Sequence, residues 1–566
     1  MSGSPQLKVV LYWHMHQPQY RDLLSAQYSL PWTYLHAIKD YADMAAHIEA
    51  VPTARAVINF APLLLEQIDD YVQQIDSYLA GGKPIRDPLL AALVTLPSPA
   101  DAEARRLLIK ACLRANEHRI IQRFPAYARL ARLAREALEQ PIVFEYLADS
   151  FFSDLVLWYH LAWLGETIRR NNKRVQQLQD KAARYTADER HELLALIGEL
   201  MRDIVPRYQR LAKRGQVELS VTPYAHPILP LLLDFQSTYD AMPAATLPQQ
   251  PGYPGGEERV RWHLREGIAT FERYFGFKPA GCWPSEGSIS AATLMLLNEA
   301  GFVWSASGES VLSNSLKKGG AAPHGAKASW LYQAYRLEGD RLACFFRDDS
   351  LSDLIGFNYA NWHADDAVAD LIQHLENIAD ASTGQPERIV SIILDGENAW
   401  EYYPENGYYF LSALYQRLST HPRFMLTTYS EYLKQAAPQP IKDIAAGSWV
   451  YGTFSTWIGD PDKNRGWDML GDAKLAFDQI APKLSTDQRA AAASQLAVCE
   501  GSDWFWWFGD YNPESAVSDF EQLYRQHLSN LYRLLGIQPP DYLALPFTQG
   551  VGTPMHGGTM RPGHAP

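Results

Sequence analysis

The chain is predicted to be an α/β protein built on a parallel barrel, with a helical insertion and a helical C-terminal region. Three observations predict this. Short apolar runs recur, each ending in polar or aromatic residues. Amphipathic helical stretches such as Gly256–Phe275 and Ala364–Ile378 separate many of them, the alternation of a parallel sheet. About seven or eight such runs suggest a closed, irregular barrel.

The runs follow in order. Lys8–Trp13 ends at His14, Ala56–Phe60 at Ala61-Pro62, and Val217–Val221 at Thr222-Pro223. Gly281–Trp283 ends at Pro284-Ser285-Glu286, and Phe302–Ser305 follows. Leu342–Phe346 ends at Arg347-Asp348-Asp349, Ile389–Leu394 at Asp395, and Phe424–Thr427 comes last. Residues 89–214 break the rhythm with Ala, Leu, Arg and Glu at helical spacing, as in Ala102–Ala115 and Ala187–Arg202, and read as a helical insertion. The barrel region with this insertion is assigned to residues 1–435. A linker is expected near Gln435–Ser448, a helical domain contributing to the site over 449–545, and a disordered Gly-, Pro- and His-rich tail over 550–566.

Composition excludes several classes. The formal charge of −13 repels phosphate backbones, so nucleic acid is not an expected partner. No segment approaches the roughly 20 apolar residues of a membrane span, so no membrane partner is expected. The N-terminal sequence lacks a signal-peptide pattern, and four scattered cysteines form no C-x-x-C pair. Reduced thiols and a cytoplasmic location are therefore expected. Sixteen Trp and 31 Tyr lean toward carbohydrate, because their faces stack on sugar rings.

Six constellations carry chemistry. In W-H-M-H-Q-P, His14 and His16 alternate on an extended strand and point the same way, suited to a metal or to sugar hydroxyls. Glu218 breaks the apolar run G-Q-V-E-L-S-V-T, with Pro223, Tyr224 and His226 following; a buried carboxylate there needs hydrogen-bond partners. In G-C-W-P-S-E-G, Glu286 follows a short strand beside Trp283 and suits a nucleophile or base. In I-I-L-D-G-E-N-A-W-E, Asp395 is the first polar residue after its strand; Glu397 and Glu401 read as its surroundings. The segments G-T-F-S-T-W-I-G-D, carrying Trp457, and E-G-S-D-W-F-W-W-F-G-D, carrying Asp503 and Trp504, read as stacking platforms for sugars.

H-x-H-Q-P, G-Q-V-E-L, G-C-W-P-S-E, L-D-G-E-N and D-W-F-W-W-F-G-D, in this order from His14 to Asp510, resemble the five motifs of glycoside hydrolase family 57; G-T-F-S-T-W-I-G resembles its amylopullulanase-like branch. The resemblance implies an irregular (β/α)7 barrel with a helical C-terminal domain. It also implies retaining action on α-1,4-glucans or malto-oligosaccharides, with α-1,6 bonds within the family's range, and no metal or other cofactor. By position, Glu286 matches the nucleophile and Asp395 the acid/base. His14, His16, Glu218 and Trp283 match substrate positions, Asp503 and Trp504 match the fifth motif, and Trp457 follows from the branch segment. A 4-α-glucanotransferase or branching enzyme is the alternative within the family. Outside it stand a metal-dependent polysaccharide deacetylase, with His14, His16 and Asp395 as ligands, and a non-catalytic glucan-binding protein.

Overall fold

The computed structural model describes residues 6–321, 323–385, 387–552, 560, 561 and 563, without the side chain of Pro141. Ten strands are present among them: β1 (Leu7–Met15), β2 (Ala56–Phe60), β3 (Val217–Val221), β4 (Gly281–Cys282), β5 (Trp304–Gly308), β6 (Tyr335–Leu337), β7 (Ala343–Arg347), β8 (Ile389–Asp395), β9 (Phe424–Leu426) and β10 (Gln439–Ile441). The pairing β1–β2–β3–β4–β5–β7–β8 returns to β1 and is parallel throughout, so seven strands close a barrel. Outside it, β9 pairs with β1, and β6 pairs antiparallel with β7 and carries β10. Barrel strands read as near-continuous apolar runs because helices cover their outer faces. The predicted runs Ala56–Phe60 and Val217–Val221 coincide with β2 and β3; the run at Phe302–Ser305 sits two residues later, at Trp304–Gly308.

Register divides the interior into layers. Tyr12 pairs with Val57 and Ile393, and Val57 with Glu218. One step on, with the side-chain period of two, His14 pairs with Asn59 and Asp395, and Asn59 with Ser220. The lower layer is plugged by Tyr12, Trp283, Trp304, Phe345 and Tyr429, a buried cluster separate from the core outside the barrel. The upper layer is polar and opens at the carboxyl ends of the strands, where α/β barrels place their sites.

Helices from Pro62–Gly81 through Ala187–Lys213 fill the interval between β2 and β3. The longest, Ala187–Lys213, starts at a capping box in which Thr186 and Glu189 satisfy each other's backbone donors. After β10 come helices Pro461–Ile480, Thr486–Cys499, Ser502–Trp507 and Glu514–Leu534. The Gln435–Ser448 stretch contains β10, and most of the 550–566 tail lies outside the described residues. No described helix is long and apolar enough to cross a membrane. The four cysteines are free and buried.

Candidate active site

Two strand ends supply the acids. β8 delivers Asp395 beside His14, and the chain turns at Gly396, whose N–H donates to the His14 carbonyl at 2.7 Å. A Cβ at residue 396 would lie 2.2 Å from the Met15 sulfur, so any larger residue there would have to displace that side chain. The Asp395 Oδ2 accepts from Asn398 Nδ2 at 2.9 Å. Burial raises the Asp395 carboxyl above its ordinary range, against the hydrogen bond from Asn398 and the charges of His16 and Arg347. Glu397, next but one along, is buried and is raised well above its ordinary value by burial, then by Asp395 and Asp40.

Glu286 follows β4 in a tight turn, Ser285–Gly287, and holds φ 58°, ψ 26°. A left-handed non-glycine residue costs about 1–3 kcal/mol and persists where surrounding structure holds it. Here Trp449 holds it twice: its backbone N–H donates to the Glu286 carbonyl at 3.0 Å and its indole Nε1 to Oε2 at 3.1 Å. Ser502 Oγ donates to Oε1 at 3.3 Å. Burial, then the charges of Asp395 and Asp503, push the Glu286 carboxyl up to about 8, against the donors Trp449 and Ser502. The charge of Asp395 thus raises both Glu286 and Glu397.

Three imidazoles stand beside the acids. His14 Nδ1 meets Asn59 Oδ1 at 2.6 Å, and its Nε2 meets His226 Nε2 at 3.1 Å. His226 Nδ1 lies 2.8 Å from Ser502 Oγ, and His16 Nε2 lies 2.7 Å from Asp503 Oδ1. Burial, then the charge of His16, lowers His14 to about 3; burial and both neighbours lower His226 well below its ordinary value. Both shifts favour the neutral imidazole. One ring nitrogen from each of the three lies within 4.8 Å of the others, with Asp395 outside the group. A tetrahedral metal needs lone pairs converging at about 2.0–2.1 Å. The His16 ring instead stacks on His226, centroids 3.8 Å apart and planes 13° from parallel, so it must turn before it can ligate.

A cavity of about 390 Å³ opens over these groups, within the roughly 300–1,000 Å³ range of ligand pockets. Of the predicted site residues, His14, His16, Glu286, Asp395 and Asp503 line it. Glu218, Trp283, Trp457 and Trp504 do not. Glu218 sits one layer lower in the barrel, where its carboxylate takes hydrogen bonds from Trp304 Nε1 at 2.6 Å and from the Ser430 N–H at 3.0 Å. Trp283 is the fully buried floor, 6.2 Å from His14 and 5.2 Å from Trp449, ring to ring. Trp457 and Trp504 are core: Trp457 carries the Trp467 indole on its carbonyl, and the Trp504 indole donates to the Val498 carbonyl.

The platform expected of the Trp-rich segment is displaced by helical periodicity. On helix Ser502–Trp507, residues 503, 506 and 507 share a face by i, i+3, i+4 spacing, and Asp503, Trp506 and Trp507 line the cavity. Trp504 and Phe505 point into the core. His226, Trp449 and Ser502 complete the site and are not among the predicted residues. His226 does carry a sequence signal, a histidine just beyond a strand end; Trp449 falls in the stretch around the expected linker and carries none.

A parallel barrel with a pair of partly buried carboxyl groups, imidazoles and indoles around one cavity is the kind of site used for cleaving glycosidic bonds. The family model for glycosyl hydrolase family 57 matches residues 10–445, and the chain belongs to that family. A GH57-type branching enzyme from Pyrococcus horikoshii superposes with a TM-score of 0.56 at 17% identity, covering 95% of this chain and 93% of that one. The α-amylase of Thermotoga maritima gives 0.55 at 12% identity, covering 95% and 96%. The 4-α-glucanotransferase of Thermococcus litoralis gives 0.52 at 14% identity, covering 95% of this chain and 61% of that one. At these identities the likeness shows a shared fold. No curated protein matches the chain.

Proposed function

We propose that this family 57 enzyme acts on α-1,4-glucans with retention of configuration, Glu286 serving as nucleophile and Asp395 as acid/base. The observation that carries the reading is the coupled pair of acids in one cavity: Asp395 is among the charges that raise Glu286. Coupled acids titrate as a unit, and with both raised the pair holds a proton near neutral pH. Retention uses the state in which that proton is on Asp395. The donors Trp449 Nε1 and Ser502 Oγ favour charge on Glu286 and support this state.

In the first step the Glu286 carboxylate forms a bond to the anomeric carbon as the glycosidic C–O bond breaks, and Asp395 gives its proton to the departing oxygen. In the second, Asp395 takes a proton from water or from a sugar hydroxyl, which displaces Glu286. Water gives hydrolysis. A sugar hydroxyl gives transfer, as the names of the branching-enzyme and glucanotransferase neighbours illustrate. Among the described residues His16, with Nε2 held by Asp503 and Nδ1 without a partner, is the imidazole that suits a sugar hydroxyl, while His14 and His226 are held by Asn59, Ser502 and each other. The free, buried thiols fit the cytoplasmic location included in this proposal.

The test is product analysis after incubation with maltoheptaose, amylose and pullulan, with the anomer followed by NMR. Shorter oligomers, released first as the α-anomer, are expected for retaining hydrolysis; longer ones identify transfer, and maltotriose from pullulan identifies α-1,6 cleavage. First release of the β-anomer contradicts the mechanism. The nitrogen cluster His14, His16 and His226 is the one observation favouring a metal-dependent deacetylase. Stoichiometric zinc with chelator-sensitive deacetylation would carry that reading instead.

A further inference from the structure

Met560, Arg561 and Gly563 belong to no motif, yet Met560 and Arg561 reach the cavity. Gly563 is fixed at both backbone polar groups. Its N–H donates to Asp353 Oδ2 and its carbonyl accepts from the Tyr451 N–H, each at 2.9 Å. A Cβ there would lie 2.5 Å from the Asp349 Cγ and 2.7 Å from Arg347 Nη1, so the segment packs against the Arg347 group as closely as backbone can. Arg347 itself stacks on Trp449, the residue that holds Glu286. The anchor is thus tied to the catalytic turn.

From this anchor Met560, 6% exposed, and Arg561 are presented to the cavity. The Arg561 guanidinium lies 4.8 Å from the Trp506 ring and 5.6 Å from the Tyr511 ring, and Nη2 donates to Asn512 Oδ1 at 3.2 Å. Tyr511 is 44% exposed, which puts this wall at the cavity mouth. Five acids line the cavity, Glu286, Asp395, Glu397, Glu401 and Asp503, with three arginines, Arg114, Arg347 and Arg561. Of these, Arg114 is paired with Asp519, and Arg347 is committed to Asp349 and Asp353. Arg561 is differently placed: it sits on Trp506, Tyr511 and the Asn512 amide with no carboxylate among its hydrogen-bond partners in the described residues, and a guanidinium carries five donors. A planar cation beside exposed aromatic faces is a built surface for a sugar ring, stacking below and donating at the edge.

We propose that Met560 and Arg561 form the wall of an outer oligosaccharide subsite, in which Arg561, seated on Trp506, donates to hydroxyls of a glucose unit beyond the cleavage point. The subsite makes binding depend on chain length: short oligomers fill the inner cavity without reaching it, and longer ones do. This rests on the α-glucan reading above, and the test separates the two.

The experiment uses full-length protein in the Glu286→Gln background, with maltotriose and maltoheptaose binding followed by tryptophan fluorescence. Adding Arg561→Ala is expected to weaken maltoheptaose binding about tenfold, the loss of one charge-assisted contact, and maltotriose binding less than about twofold. Arg561→Lys, which keeps charge but not the planar stack, is expected between the two for maltoheptaose. Equal weakening of both ligands, the result for a strap that only supports the fold, overturns the proposal, as does no change in either. Oligosaccharide binding in the expected pattern with no turnover by the wild-type enzyme overturns the catalytic reading alone. Turnover with a flat response to Arg561 overturns the subsite alone, and no binding of either ligand overturns both.

Discussion

Glu286→Gln is expected to lower turnover of maltoheptaose by about 10⁴-fold or more, the scale seen when an essential nucleophile is removed, while making the protein more stable. The two effects share one cause. Glu286 is raised to about 8 by burial and by Asp395 and Asp503, so the folded protein binds its proton more tightly than the unfolded chain does. A raised acid costs stability as pH climbs from the unfolded value toward the folded one, and the full cost is present above the folded value. From the ordinary 4.5 to about 8 the ceiling is near 5 kcal/mol. The side chain is 12% exposed, and it shares its proton with Asp395, which leaves on the order of 1–3 kcal/mol. Glutamine never ionises; its amide oxygen can accept from Trp449 Nε1 while its NH2 donates to the Ser502 hydroxyl oxygen. A melting temperature above wild type at pH 8, converging with wild type near pH 5, is the expected signature. Loss of activity with loss of stability would mean that Glu286 is structural.

The largest stability effect is expected at Arg259→Met. Glu500 is completely buried and takes hydrogen bonds from Arg259 Nε and Nη2, each at 2.8 Å, from His263 Nε2 at 2.7 Å and from the Tyr253 hydroxyl. Burial works to raise its carboxyl, but the Arg259 charge and the His263 hydrogen bond outweigh it and hold Glu500 down at about 2. Removing Arg259 leaves that carboxylate without its main partner, at a cost of about 3–5 kcal/mol. Arg259→Met with Glu500→Leu together should recover most of it, since an apolar pair needs no desolvation. The sign of the pH dependence checks the same group. A depressed acid contributes fully above the unfolded value and loses its contribution as pH falls toward the folded one. Wild type should therefore lose about 3 kcal/mol from this site between pH 4.5 and pH 2, and Arg259→Met should not. Stability within about 1 kcal/mol of wild type for the single variant would remove the argument. The network also serves the site: it ties helix Gly256–Phe275 to the turn before helix Ser502–Trp507, which presents Ser502 and Asp503 to Glu286 and His16.

What was legible in the sequence follows how local the determining physics is. Strands β2 and β3 could be read to the residue because an apolar run ends where the barrel layer ends. Asp395 and Glu286 could be read as the first acids beyond such runs. Glu218 looked equivalent, an acid in a strand, but its place one layer below the opening is set by register against β2, and its partners Trp304 and Ser430 are remote in the chain. Trp504 and Trp506 are two residues apart and face opposite environments, a distinction carried by helix phase and not by aromatic density. Trp449 reaches Glu286 from a segment with no recognisable period, and its role is visible only once the chain is folded.

The central claim is that Glu286 forms the covalent intermediate and Asp395 resolves it. It is tested most directly in Asp395→Asn with α-maltosyl fluoride, whose fluoride leaves without protonation. The first step then proceeds and the second, lacking its base, stalls. Peptide mapping by mass spectrometry is expected to find a maltosyl adduct on the peptide carrying Glu286, chased off by added azide. An adduct on any other carboxylate, or turnover with inversion and no adduct at all, would contradict the account.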